Sequence, residues 1–266
     1  MATPAPTDGD TDEAAVDIVH RVDAEGIATL TLDSPANRNA LSAQLVDELA
    51  GHLGDVASDD GVRAVVLTHT GTTFCAGADL AESAREGGPA TGTQRLVSLL
   101  RQIVALPKPV VAKVEGNVRA GGLGLFAACD ITVAGATSSF ALTEARLGLA
   151  PAIISVTLLP RITGGAAARY YLTGDRFDAA EAERIGLVTI ATDDPENAVD
   201  RLAASFRKCS PQGLAASKAL TTRALLASFD AAAQELSELS AELFTSDDAQ
   251  EGIASFLERR PPRWAE

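Results

Sequence analysis

The residues best placed to do chemistry in this sequence are a pair of glycines and one acid. Gly121 and Gly122 follow an apolar, β-branched run from Val110 to Val114 and a first glycine, Gly116, an order that predicts a buried strand, a loop and the start of a helix. A glycine pair at a helix N-terminus leaves backbone N–H groups uncovered by side chains. With the helix dipole behind them, such donors suit an anion or a carbonyl oxygen gaining negative charge. Downstream, Glu144 stands alone after Ser139-Phe140-Ala141-Leu142-Thr143, where a carboxylate can move a proton at the same substrate. The plainer reading of the glycines is close helix packing, and that of Glu144 a helix-start acid held by the dipole.

Two nucleotide readings do not fit. Gly116 to Gly121 has the spacing of a phosphate loop, but Gly122 and Leu123 stand where that loop needs Lys and Ser or Thr. Gly121-Gly122-Leu123-Gly124 is not the G-x-G-x-x-G of a dinucleotide fold. The histidines, His20, His52 and His69, have no acid or nucleophile placed beside them in a motif and read as structural or exposed. Cys75 lies beside a glycine loop without a placed His, so a small buried thiol is the better reading.

The elements that must position these groups alternate. Ala15 to Arg21 and Ile27 to Leu32 predict two strands joined by a turn at Asp23 to Gly26, and Ser42 can cap a helix carrying Leu45, Val46, Leu49 and Leu53. Arg63 to Thr68 predicts a strand leading into a second small-residue loop, Gly71 to Leu80. Strand followed by glycine loop thus occurs twice, at 63–80 and 110–124. Leu96 to Leu106 predicts a helix stopped by Pro107 and Pro109. The alternation indicates an α/β architecture with part of the sheet parallel. Beyond Pro160, alanine-rich helices are expected near 163–172, 178–185, 194–208, 213–227, 229–245 and 248–259, interrupted by strand-like Leu187 to Ile190.

The whole chain has 266 residues, 46% hydrophobic, enough for a sizeable core. Its net charge of −14 argues against nucleic acid or an anionic membrane as the main partner. Three cysteines, scattered, and three histidines outside ligand spacing argue against a disulfide frame or a metal and fit a reducing cytoplasm. No run approaches the roughly eighteen apolar residues of a membrane span, and residues 1–13 read as a disordered acidic tail.

Read together, Ser34 to Ser42, Phe74 to Leu80, Gly116 to Asp130, Phe140 to Gly148, Leu172 to Asp178 and Phe256 to Arg260 resemble, in this order, the motifs of the crotonase family, the enoyl-CoA hydratase/isomerase group. The resemblance runs from about Val16 to Trp264. It implies a crotonase-like α/β fold, a spiral of β-β-α turns over residues 14–200, with a helical C-terminal trimerisation region at 201–266. It implies a homotrimer or dimer of trimers, and an acyl-CoA substrate with no separate cofactor. By the same resemblance the thioester oxygen sits between the N–H groups of Ala78 and Gly121, with Glu144 as catalytic acid. Arg38, Ala76, Asp79, Leu80, Gly122, Gly124 and Pro151 are then expected around the substrate.

One departure matters. The hydratase pattern has two glutamates, and the first falls at Gly124. A single carboxylate suffices to move a proton from C2 to C4, as in the related 3-enoyl to 2-enoyl isomerases. The stretch Glu144 to Ser155, however, is most similar to bacterial hydratases of the methylglutaconyl-CoA-related branch. Hydration of a 2-enoyl-CoA is therefore the leading expectation, isomerisation the alternative, and a non-catalytic acyl-CoA-binding subunit the reading from another class.

Overall fold

Glu25 and Gly26 both take positive φ, 50° and 79°, the two left-handed residues that a tight hairpin turn demands. They join β1 (Val19–Ala24) to β2 (Ile27–Leu32) in an antiparallel pair. These coordinates are a computed structural model describing residues 16–85 and 90–265; the acidic tail expected over 1–13 lies outside the described residues. The Ser42 side chain accepts from Leu45 N at 3.3 Å and caps α1 (Ala43–Ser58), whose Leu45, Val46, Leu49 and Leu53 are buried as their helical spacing requires.

From here each strand comes with a partner. β3 (Ala64–His69) is followed by β4 (Thr73–Cys75), then by α2 (Leu80–Arg85) and α3 (Ala90–Ala105). β5 (Val110–Val114) is followed by β6 (Asn117–Arg119) and α4 (Gly121–Ala128). β7 (Ile131–Gly135) is followed by β8 (Ser139–Ala141) and a 3-10 turn, Glu144–Leu147. Then come α5 (Ser155–Leu158), α6 (Gly164–Thr173), β9 (Phe177–Asp178), α7 (Ala179–Ile185), β10 (Ile190–Thr192) and α8 (Pro195–Arg207). The chain finishes with α9 (Pro211–Phe244) and α10 (Asp247–Glu258).

In the three strand pairs β3/β4, β5/β6 and β7/β8, the first strand joins a six-stranded sheet of order β1-β2-β3-β5-β7-β10 and the second a four-stranded sheet of order β4-β6-β8-β9. That is a β-β-α spiral in which β2-β3-β5-β7-β10 and β4-β6-β8 pair in parallel, with β1 and β9 antiparallel at the edges. Gly116 makes one of the corners, with φ of 153° and a position where a Cβ would lie 2.3 Å from Thr72 O. Aromatic rings run in contact from Phe74 through Phe126 and Phe140 to Phe177 and Tyr170, and brace the small sheet from within.

Two expectations shift. The helices expected at 213–227 and 229–245 are one, α9, because nothing between Ala227 and Phe229 breaks it: Ser228 turns its hydroxyl back to Ala224 O at 3.0 Å. The strand expected at Leu187 starts at Ile190, since the N–H groups of Leu187 and Val188 are taken by Ala182 O at the end of α7. Lys218 anchors α9 to the body, donating to Asp130 at 2.7 Å and to Ile103 O and Lys108 O. Asp130 in turn accepts from Val110 N, so the pair ties helix to sheet. Burial pushes Asp130 up and Lys218 down, while each charge favours ionisation of the other.

Candidate active site

The first loop of the site hangs on a buried amide. Asn39, at φ 52° and with no exposure, donates from Nδ2 to Thr70 O and Thr73 O and accepts at Oδ1 from Ser34 N. This fixes the Arg38 loop against the loop that follows β4: Ala76 N donates to Arg38 O at 3.1 Å, and Leu41 N to Gly77 O at 2.8 Å. Leu41 and Ala78 form a parallel bridge.

The second loop meets it at Gly77. At φ 94°, a Cβ there would lie 2.8 Å from Ala120 Cβ and 3.2 Å from Gly121 N, so only glycine allows the approach. Ala120 itself holds φ 46° and ψ −124° at the N-cap of α4, a region that costs about 1–3 kcal/mol for a residue with a Cβ. Its N–H donates to Ala141 O at 3.1 Å, and Gly121 begins the helix beside it. A Cβ on Gly121 would stand 3.7 Å from Ala78 N. The N–H groups of Ala78 and Gly121 are thus neighbours, and neither has a hydrogen-bond partner among the described residues.

Glu144 opens the 3-10 turn that closes at Gly148, φ 70°. The carboxyl is 9% exposed, and its Oε2 has no hydrogen-bond partner. Burial pushes it up to about 7, the range in which one group can both take and return a proton near neutral pH. Nearby, the Tyr171 hydroxyl is pushed up to about 12, first by burial and then by the Glu144 charge. The turn is clasped by α10. A Cβ at Gly252 would lie 2.4 Å from Leu147 O, and one at Gly148 2.5 Å from the Asp248 carbonyl carbon, so backbone packs on backbone.

These groups border one cavity of about 590 Å³, and Arg38, Ala76, Asp79, Leu80 and Pro151 line it with Ala78, Gly121 and Glu144. Phe244 of α9 and Phe256 of α10 lie on its wall. Asp79 also does structural work: its Oδ1 accepts from Ala81 N and Glu82 N at the start of α2. Two expected substrate neighbours stand apart from the cavity lining. Gly122 faces inward, where a Cβ would meet Cys75 O at 2.7 Å. Gly124 faces Ile154, whose Cγ2 lies 2.3 Å and whose Cβ lies 2.8 Å from where a Cβ at 124 would be.

Both are packing glycines for the same reason: the neighbouring residue already fills the volume. Sequence reasoning missed Ile154, Asn39 and the strained Ala120. Only Asn39 left a signal, in Asn37-Arg38-Asn39, because asparagine tolerates the left-handed conformation. Cys75 and Cys129 are fully buried, with thiols pushed up to about 12 by burial, which removes them as nucleophiles. Among the described residues no cluster of His, Cys, Asp or Glu could hold a metal ion, and no helix is long and apolar enough to cross a membrane.

Residues 23–266 match the family model described as enoyl-CoA hydratase/isomerase. A probable enoyl-CoA hydratase of Bacillus subtilis (strain 168) is 34% identical over 245 residues, covering 90% of this chain and 95% of the relative. The crystal structure of an enoyl-CoA hydratase from Mycobacterium avium superposes with a TM-score of 0.88 at 54% identity, covering 94% of this chain and 100% of that one.

Proposed function

This chain belongs to the enoyl-CoA hydratase/isomerase family, and from that membership and the geometry of its cavity we propose that it is an enoyl-CoA hydratase, adding water across the 2,3 double bond of a 2-enoyl-CoA. The observation that supports this most is the convergence on one cavity of two unpartnered backbone N–H groups, Ala78 and Gly121, and one buried carboxyl, Glu144. The thioester oxygen accepts from both N–H groups. Each such donor contributes about 3 kcal/mol as negative charge develops. The polarised thioester makes the β-carbon electrophilic.

In this reading Glu144, ionised, takes a proton from water while the water oxygen bonds to Cβ. The π electrons move onto the thioester oxygen between Ala78 and Gly121. As they return, Cα takes the proton from Glu144, so one carboxyl serves both steps and ends as it began. A midpoint near 7 suits the two roles. Coenzyme A enters as part of the substrate, its arm passing the Arg38 and Ala76–Leu80 side of the cavity, and no other cofactor is required. The assembly we propose is a homotrimer or dimer of trimers. Exposed Leu172, Leu220, Phe256 and Leu257 are the apolar side chains it would cover.

One observation favours a second reading. Ile154 fills the place of a second acid, and a single carboxyl is enough to carry a proton from C2 to C4 of a 3-enoyl-CoA. Incubation with each substrate in heavy-oxygen water separates the two. The hydratase incorporates label into a 3-hydroxyacyl product from the 2-enoyl substrate. Label-free conversion of the 3-enoyl substrate, with the 2-enoyl substrate untouched, overturns hydration in favour of isomerisation. Inertness toward both leaves an acyl-CoA-binding subunit.

A further inference from the structure

The outer edge of the large sheet is closed at one end and open at the other. β1 is the edge strand, bonded to β2 on one side. Asp33 N donates to Ile18 O at 2.8 Å, which makes Ile18 and Asp33 a hydrogen-bonded pair. From there the antiparallel alternation turns the main-chain groups of His20, Val22 and Ala24 toward β2 and those of Val19, Arg21 and Asp23 outward. Side chains of α1 cover the first of these: Val19 N donates to Glu48 Oε2 at 2.8 Å, and His52 Nε2 donates to Val19 O at 3.0 Å. Among the described residues, the outward N–H and C=O groups of Arg21 and Asp23 have no partner.

The side chains at the open end suit a second copy of the same strand. Val19 is buried in the cluster that holds Leu45 and Leu49 of α1, and Val22, on the opposite face of the sheet by alternation, is 64% exposed. Arg21 and Asp23 flank it with opposite charges. Two β1 strands related by a two-fold axis at Val22 set Arg21 of each opposite Asp23 of the other, in two hydrogen-bonded pairs that each exchange two main-chain bonds. Val22 then faces Val22 in the narrow pair between them, where side chains touch. The register is selective. Sliding it by one pair either way sets Arg21 opposite Arg21 or Asp23 opposite Asp23, and like charges directly opposite are destabilising. Charges that guard a sheet edge do so by repelling a copy of it, whereas the order Arg21-Val22-Asp23 attracts one.

We propose that β1 is a self-association surface, on which two copies of this chain join their large sheets edge to edge, antiparallel, about a two-fold axis at Val22. Such a contact is isologous and closes on itself, so it does not propagate into a fibre. Combined with a three-fold contact it pairs two trimers, and without one it gives a dimer. No residue of β1 lines the cavity, so the inference does not rest on the proposed reaction.

Cysteine cross-linking of the full chain reads the register. The background is Cys209→Ser, because Cys75 and Cys129 are buried and Cys209 is the exposed thiol. In the narrow pair the two Val22 Cα atoms are about 4.5 Å apart, within the reach of a disulfide. The two Ala24 positions, on the same face, are about 14 Å apart, four residues along the strand. Under mild oxidation Val22→Cys should run as a covalent dimer on a non-reducing gel and Ala24→Cys as a single chain. Sedimentation equilibrium gives a second reading. Asp23→Pro deletes an outward donor without costing a bond to β2, and by symmetry removes two of the bonds between the copies. It should raise the dissociation constant of the two-fold contact about 10- to 100-fold, with a thermal melt showing that the variant is folded. Equal cross-linking at both positions, or at neither, overturns the proposal; the latter is the result if residues 1–15 cover the edge instead. So does a folded Asp23→Pro that associates as the wild type does. Hydration of crotonyl-CoA by the same preparations reads the activity separately, and its absence counts against the hydratase reading alone.

Discussion

Replacing Glu144 by Gln separates what the acid does for the reaction from what it does to the fold. The carboxyl midpoint rises from 4.5 to about 7 because the group is buried with Oε2 unpartnered. A carboxyl whose folded midpoint lies above its unfolded one makes the folded state bind the extra proton. The stability this confers is complete below pH 4.5 and is lost as pH climbs through about 7. At 1.36 kcal/mol per tenfold change in proton affinity, the loss by pH 8 is about 3 kcal/mol. Gln has nearly the same shape and no charge to strand. Glu144→Gln should therefore be more stable than the wild type at pH 8 by up to about 3 kcal/mol, or roughly 6–12 °C in Tm at about 2–4 °C per kcal/mol. Near pH 5 the two should melt together. Over the same substitution kcat should fall about 10²- to 10⁴-fold, and wild-type kcat/KM should rise through a midpoint of about 7. Paired thermal melts and initial rates at the two pH values decide it. A variant that melts at or below the wild type at pH 8 refutes the stranded charge, and one with full activity removes Glu144 from the reaction.

The packing around the site gives three more expectations. Gly124→Ala must push Ile154 aside, and because the clash includes Ile154 Cβ at 2.8 Å no rotamer relieves it. Overpacking of about 1–3 kcal/mol should outweigh the gain of about 1 kcal/mol in helix propensity. In denaturant titrations the double variant with Ile154→Ala should be less destabilised than the two single losses added, by about 0.5–3 kcal/mol; simple additivity would mean the two residues do not share the volume. Gly121→Pro deletes one donor at a first-turn position where helices accept proline. It should lower kcat/KM by about two orders of magnitude or more, and near-normal turnover in a folded protein would refute the donor role. Gly252 is not part of the cavity lining, but Gly252→Ala forces α10 off the carbonyl of Leu147, which is, at 2.4 Å. It should lower kcat more than it raises KM and shift the pH midpoint of the rate, whereas an unchanged profile would show that the clasp does not position Glu144.

How far the molecule was legible in its sequence depends on whether a feature is local. Ser42, the Glu25-Gly26 turn and the β-branched runs at 64–69 and 110–114 act through neighbours in the chain, and each element formed within a few residues of its expected place. The division of each strand pair between two sheets is not local. It depends on corners such as Gly116, where the constraint is the Thr72 carbonyl of the preceding turn of the spiral. The clasp between Gly148 and Gly252 is equally invisible, because each glycine is explained only by the other element's backbone.

The same reasoning accounts for what was legible in the site. Gly121 and Glu144 could be singled out because backbone donors need small residues and a lone acid stands out in an apolar stretch, whereas Ala78 followed only from the family resemblance. Gly124 could be seen to lack a carboxylate, but not what that lack does. Ile154 fills the space from the N-cap of α5, thirty positions along the chain. A glutamate restored at 124 alone would therefore collide rather than catalyse. Recovering a second acid requires shortening Ile154 in the same variant, and even then its retained Cβ, 2.8 Å from the position of the new one, demands that α5 move. The single-carboxyl site is thus set by packing between α4 and α5, bonded to each other through Thr157 Oγ1 and Gly124 O at 3.1 Å, and not only by the residue missing from the motif.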